Sequence, residues 1–189
     1  MKLSAVLLAG GESRRMGRDK ATMSWRDRPL WQSQLDTLRK LEPTELLISA
    51  RSDPAWRPKD AAFVADAIPS CGPLSGITAA LACMKSAHLL ALAIDMPFMS
   101  AAYLRSLGDL LEPGCGILPL MGDRAEPLAA IYPAEAYLYF VAALGGRNFS
   151  LQTITRELIQ LKKLRAVPVS REEEKLFRNV NEPGIVSDL

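Results

Sequence analysis

The sequence predicts an α/β fold built on a mostly parallel sheet with helices on both faces, and two observations carry that prediction. The first is a series of short apolar runs that stop at Gly, Asp or Arg: "SAVLLA" (4–9), "ELLISA" (45–50), "AFVAD" (62–66) and "LLALAID" (89–95). Continuous apolar runs of that length are what a parallel strand covered on both faces looks like. The second is that helix-like stretches lie between the runs, and strands alternating with helices imply a parallel sheet.

Taken in order, the first run ends at Gly10 and Gly11, which predicts a strand delivering a tight loop. The stretch "PLWQSQLDTLRKL" (29–41) spaces Leu30, Leu35, Leu38 and Leu41 near helical period, with Pro29 suited to a first helical position. "LSGITAALACMK" (74–85) and "SAAYLRSLGDLL" (100–111) read likewise, the second with Ser100 as its N-cap. Beyond them, "CGILPLMGDRAEPLAAIYP" (115–133) reads as two strands around a Gly-Asp turn, a small antiparallel addition to the sheet. Helices follow near 133–144 and 151–162, and "REEEK" (171–175) reads as a solvated helix start. With no repeat, low-complexity tract or linker, residues 1–189 are expected to form one domain.

Composition excludes several classes. Hydrophobic residues at 49% and charged residues at 23% fit an ordinary globular chain. A net charge of +2 gives no reason to expect a nucleic-acid partner. Cys71, Cys83 and Cys115 form no C-x-x-C pair, and their odd number suits a reducing compartment, where they would act as small buried hydrophobes. The first apolar run is too short for a signal-peptide core and no run approaches a membrane span, so the expected location is cytoplasmic, without a membrane partner. His88, the single histidine, abuts the run 89–94 and is expected to be structural.

The chemistry concentrates in "LLAGGESRRMGRDKA" (7–21), where two adjacent glycines are followed by Arg14, Arg15, Arg18 and Lys20. Such glycines let backbone approach a ligand and present N–H groups to phosphate oxygens. The loop is not a P-loop, since Gly11 and Gly17 have five residues between them and Gly17 is followed by Arg-Asp-Lys; nor is there a G-x-G-x-x-G. In "AIDMPF" (93–98), Asp95 falls at the carboxyl end of a strand, where a hard cation such as Mg²⁺ could be held against substrate phosphates. Asp66, ending "FVAD", is either a second carboxylate on that edge or a turn residue.

The opening loop closely resembles the signature L-A-G-G-x-S-x-R-M-G-x-D-K of the molybdenum cofactor guanylyltransferases, within the nucleotidyltransferase superfamily. "RPLWQ" (28–32), "GPLSGI" (72–77), "DMPF" (95–98), "AEPLAAIYP" (125–133) and "FRNVNEP" (177–183) fall in the family's order, so the resemblance spans essentially the whole chain. It implies a Rossmann-like nucleotidyltransferase fold and the transfer of GMP from GTP to the phosphate of molybdopterin, or its molybdenum form, with release of pyrophosphate.

By that resemblance, Leu8, Ala9, Gly10 and Gly11 line the nucleotide, Arg15 and Lys20 neutralise the triphosphate, Asp66 contacts the nucleotide and Asp95 ligates Mg²⁺. Gly11, where cytidylyltransferase relatives tend to carry Ala, suits guanine. Arg14 and Arg18 stand at variable positions and Asp19 is expected to pair with a neighbouring arginine. Asn179 and Asn181 resemble an N-x-N-T-P element facing the pterin, with Glu182 in place of the Thr. Ser49 or Arg51 stands where family members often carry a nucleotide-touching Asn. Glu126 is open to two roles, a hydrogen bond to substrate or a structural place at a strand start. Two further readings are the same chemistry with CTP or another phosphorylated acceptor, and a catalytically silent nucleotide-binding relative. The implied partners are GTP and molybdopterin, with proteins of cofactor assembly as candidates.

Overall fold

The computed structural model describes residues 2–10, 20–66, 68, 70–147 and 149–180. Its elements in chain order are β1 (Ser4–Leu8), β2 (Ser24–Trp25), β3 (Arg28–Pro29), α1 (Leu30–Arg39), β4 (Glu45–Ala50), β5 (Ala62–Ala65), α2 (Pro73–Cys83), β6 (His88–Ala93) and α3 (Ala101–Gly108). There follow β7 (Gly116–Met121), β8 (Arg124–Ala125), β9 (Ala129–Pro133), α4 (Tyr137–Leu144), α5 (Leu151–Gln160) and β10 (Leu164–Pro168).

The main sheet runs β10-β7-β9-β6-β1-β4-β5, with β8 paired to β7, while β2 and β3 form a separate hairpin. β1 is flanked by parallel partners, β4 and β6, and β4 pairs in parallel with β5. The chain winds outward through β4 and β5 and then crosses to β6 on the other side of β1. The carboxyl ends of β1 and β6 therefore flank the point where winding reverses, the position at which such sheets bind ligands.

The expected antiparallel addition is present, but within the sheet rather than at its edge. β9 runs antiparallel to both of its neighbours, β6 and β7, with Leu92 opposite Ala129 and His88 opposite Pro133. The segment entering β9 consequently lies at the carboxyl edge of β6. β8 is a third short strand in a region whose sequence suggests two, and β10 supplies a further parallel partner to β7.

Side-chain alternation along the strands explains the two helical layers. Leu3, Ala5 and Leu7 face the layer that contains Leu30, Leu35 and Leu38 of α1 and Tyr103, Leu104 and Leu107 of α3. Val6 and Leu8 face the layer that contains Leu74 and Ile77 of α2, Phe140 of α4, and Ile154 and Leu158 of α5. Ser100 caps α3 by accepting from the Tyr103 amide at 3.2 Å, as its sequence position suggests.

His88 is a buried strand residue whose Nε2 lies 3.2 Å from the Cys115 carbonyl, a structural role. The cysteines depart from expectation: Cys71 and Cys115 are half-buried and Cys83, the last residue of α2, is exposed. "REEEK" is a turn leading into a short 3-10 helix, Glu174–Phe177, in place of an α-helix start.

Gly116 marks the tightest strand approach, between β7 and β9. A Cβ there would collide with the Ile131 carbonyl and lie 2.9 Å from both Leu164 Cδ2 and Pro133 Cδ. Backbone on a paired strand cannot yield as a side chain can. Gly116→Ala is therefore expected to lose about 1–3 kcal/mol in urea unfolding; an unchanged midpoint would mean that the strands open freely at this position.

Candidate functional site

The carboxyl edge around β1 and β6 carries a cleft lined by Leu8, Ala9, Gly10, Lys20, Ser49 and Asp66. Asp95 closes its other side, with Leu128 beside it. Sequence-singled residues far apart in the chain thus meet in one place. Gly11, Arg14, Arg15, Arg18, Asp19, Asn181 and Glu182 lie outside the described residues.

Asp66 is the most constrained member. It follows β5, its amide donates to the Ala50 carbonyl at 3.0 Å, and its Oδ1 accepts from Ser49 Oγ at 2.5 Å. Two glycines close around the carboxylate. A Cβ on Gly10 would collide with Asp66 Oδ2, and one on Gly76 would meet Ser49 Oγ at 2.7 Å and Asp66 Oδ1 at 3.4 Å. Among residues at the position suggested by sequence, Ser49 is the one in this cleft.

Lys20 begins a short 3-10 turn, Lys20–Thr22, anchored by the buried Ala21 and by the Met23 amide donating to the Lys20 carbonyl. Trp25, in the hairpin that follows, packs edge-on against Phe98 at 5.0 Å between centroids, joining this region to the turn after Asp95. Lys20 Nζ reaches Asp95 Oδ2 at 3.5 Å, a loose and partly exposed pair. The peptide units around Asp95 are held firmly: the Ile94 amide donates to the Leu8 carbonyl at 3.2 Å, buried Gln34 Nε2 donates to the Ile94 carbonyl at 3.4 Å, and the Val180 amide donates to the Asp95 carbonyl at 3.0 Å.

That last bond brings the C-terminal segment to the site. Beside Val180, the side-chain oxygen of Asn179 is buried and has no hydrogen-bond partner among the described residues. Sequence reasoning left Gly72, Pro73, Gly76 and Leu128 without site roles, although "GPLSGI" and "AEPLAAIYP" carry them. Pro73 at the first turn of α2 and glycine at the close approach were the available signals.

Glu126, between β8 and β9, is buried, and its nearest cation among the described residues is Arg124, whose Nε lies 3.6 Å away on a largely exposed side chain. Burial pushes the Glu126 carboxyl above the usual carboxylate range, with Arg124 opposing.

A glycine-edged cleft with a lysine loosely paired to one carboxylate and a second carboxylate held in a crevice suits a nucleoside triphosphate and its counter-cation. The family model of the MobA-like NTP transferase domain matches residues 5–164. The chain belongs to that family. It is 35% identical over 184 residues to a probable molybdenum cofactor guanylyltransferase of Opitutus terrae, covering 96% of this chain and 91% of the relative. It is 32% identical to the molybdenum cofactor guanylyltransferase of Xanthomonas euvesicatoria, covering 95% of this chain and 90% of the relative.

Among solved structures, the fold is similar to molybdopterin-guanine dinucleotide biosynthesis protein A from Archaeoglobus fulgidus, with a TM-score of 0.74, 23% identity and coverage of 98% and 96% of the two chains. It is also similar to 2-C-methyl-D-erythritol 4-phosphate cytidylyltransferase from Thermus thermophilus, with a TM-score of 0.71, 15% identity and coverage of 99% and 96%. At these identities the likeness concerns the fold, and it agrees with the Rossmann-like nucleotidyltransferase architecture.

In this MobA-like domain, the clash at Gly10 falls on a side chain that can move, so Gly10→Ala should fold normally while displacing Asp66. GTP affinity by calorimetry is expected to fall about tenfold to hundredfold. Parent-like affinity would show that the Asp66 position is not set by the missing methyl.

Proposed function

We propose that this chain is a molybdenum cofactor guanylyltransferase, moving GMP from GTP to the terminal phosphate of molybdopterin. The observation that carries the reading is the meeting of Lys20, Asp66 and Asp95 at the glycine edge of one cleft, in a chain alike over nearly its whole length to proteins of that name. The whole of 1–189 serves as one transferase domain.

The reaction needs no enzyme nucleophile. An oxygen of the acceptor phosphate attacks the α-phosphorus, that P–O bond forms, and the bond to the β-phosphate oxygen breaks as pyrophosphate departs. The protein must hold two anions together and stabilise the leaving charge. Leu8, Ala9, Gly10, Gly11 and Ser49 bound the nucleotide's place, and Asp66 accepts hydrogen bonds from it. Lys20 and Arg15 offset triphosphate charge. Asn179 and Asn181 serve the pterin side, which the buried side-chain oxygen of Asn179, without a partner among the described residues, supports.

Among the described residues no group of three metal-ligating side chains gathers. The Asp95 carboxylate at the cleft suits Mg²⁺, which keeps waters and is bound through one or two carboxylates plus substrate phosphates. Asp95 would hold it, and the ion would neutralise phosphate charge when bound. Lys20, now 3.5 Å from Asp95, is then free to turn to the phosphates.

No helix among the described residues is long and apolar enough to cross a membrane. Three free thiols and a net charge of +2 support a cytoplasmic setting without nucleic-acid or membrane partners. Proteins of cofactor assembly would supply and receive the acceptor.

Incubation with GTP, Mg²⁺ and molybdopterin should yield the guanine dinucleotide and pyrophosphate, with CTP a poor replacement; strong preference for CTP would overturn the guanylyl assignment. Lys20→Ala should lower kcat/KM about a hundredfold to a thousandfold with unchanged melting. Turnover at the parent rate would remove Lys20 from the machinery.

A further inference from the structure

A buried carboxyl normally has a close cation or several hydrogen bonds. Glu126 is 6% exposed and, among the described residues, has neither: its one charged neighbour there is Arg124 at 3.6 Å, 75% exposed. An ion pair with so exposed a partner contributes little to stability, so Arg124 does not explain why a carboxyl stands here.

The backbone around Glu126 is nevertheless fixed. Its amide donates to the Pro119 carbonyl at 2.9 Å, and its carbonyl accepts from the Ala129 amide at 3.2 Å. The preceding residue, Ala125, is clamped at both backbone groups by Gln152 of α5, at 3.2 and 2.7 Å. Glu126 precedes Leu128, which lines the cleft and whose carbonyl accepts from the Ala93 amide at 2.8 Å. Because β9 is antiparallel to β6, the segment 126–128 lies at the carboxyl edge, on the side of Asp95 away from Asp66 and Gly76. Among the described residues, the chain thus holds a buried carboxyl, paired only to the exposed Arg124, on the segment that leads to the cleft-lining Leu128 and remote from the nucleotide's glycine crevice.

We propose that Glu126 binds the acceptor, its carboxylate receiving the adjacent N–H groups of the acceptor's 2-amino-4-oxopyrimidine ring. The inference rests on the reading of molybdopterin as acceptor, since a pterin presents a ring N–H and an exocyclic amine side by side. Two carboxylate oxygens match that pair in one plane, as they match the two N–H groups of a guanidinium. Guanine carries the same edge, but its triphosphate is bounded by Gly10 and Lys20 on the β1 side, and Glu126 lies across β6 from that crevice.

The test compares parent, Glu126→Gln and Arg124→Gln in steady-state dinucleotide formation, with melting followed in parallel. Glu126→Gln keeps the shape and replaces one acceptor oxygen by a donor facing donors. Its KM for molybdopterin should rise about tenfold to hundredfold, with KM for GTP and the melting temperature unchanged. Arg124→Gln should behave as the parent in all three. An unchanged KM for molybdopterin, a lowered melting temperature as the sole effect, or a rise in KM for GTP instead would each overturn the proposal. Parent enzyme that forms no dinucleotide would remove the guanylyltransferase reading, and this inference with it; an active parent with an unaffected Glu126→Gln variant removes the inference alone.

Discussion

The width of the cleft is set by the absence of two β-carbons around one carboxylate. Asp66 can sit between the end of β1 and the second turn of α2 because Gly10 and Gly76 leave room for it, and its Oδ1 is held there by Ser49 at 2.5 Å. A carboxylate only 9% exposed is costly to bury unless hydrogen-bonded. The Ser49 hydroxyl meets part of that requirement. The same glycine at position 76 lets α2 lie close against Leu8, whose Cδ2 would be 3.1 Å from an added Cβ. Helix placement and the seating of Asp66 at this edge therefore share one steric cause.

The Lys20–Asp95 end of the cleft is built in the opposite manner. Lys20 and Asp95 are about one-fifth exposed and 3.5 Å apart, in a geometry that water screens. Their partnership is weak and exchangeable, which suits groups that must turn toward an arriving polyanion. The backbone beneath them is not loose. Gln34 from α1, Leu8 from β1 and Val180 from the C-terminal segment bind the peptide units around Asp95. A rigid edge carrying adjustable side chains places charge without holding it in a deep, desolvated pair.

Much of this was legible in the sequence, and the limits have physical causes. β1, β4, β5 and β6 could be read because a strand covered on both faces must be apolar at successive positions, and Asp66 and Asp95 stand where two of those runs end. The hairpin β2–β3 gave no such signal. Its turn uses Arg26 and Asp27 at φ of 50° and 63°, in place of the Asn-Gly pair that usually marks that conformation. β10, half-exposed, follows α5 after three residues and lacks the apolar run of a central strand. The role of Gly76 depended on what would approach it from elsewhere in the chain, whereas Gly72 has open space beside it and serves through its backbone, at φ of 66°.

The placement of β9 has a consequence for the acceptor side. Had the strand beside β6 been parallel to it, that strand would have begun at the opposite edge of the sheet, away from the cleft. An antiparallel β9 instead begins at the cleft, so that Glu126, Pro127 and Leu128 arrive as a short segment between paired strands. Leu128 is tied to Ala93, Ala125 to Gln152, and Tyr132 Oη reaches back to donate to the Pro127 carbonyl at 2.7 Å. A loop fastened at this many points can carry a buried carboxyl without collapsing around it. The reversed strand thus brings Leu128 to the cleft that Asp95 also lines.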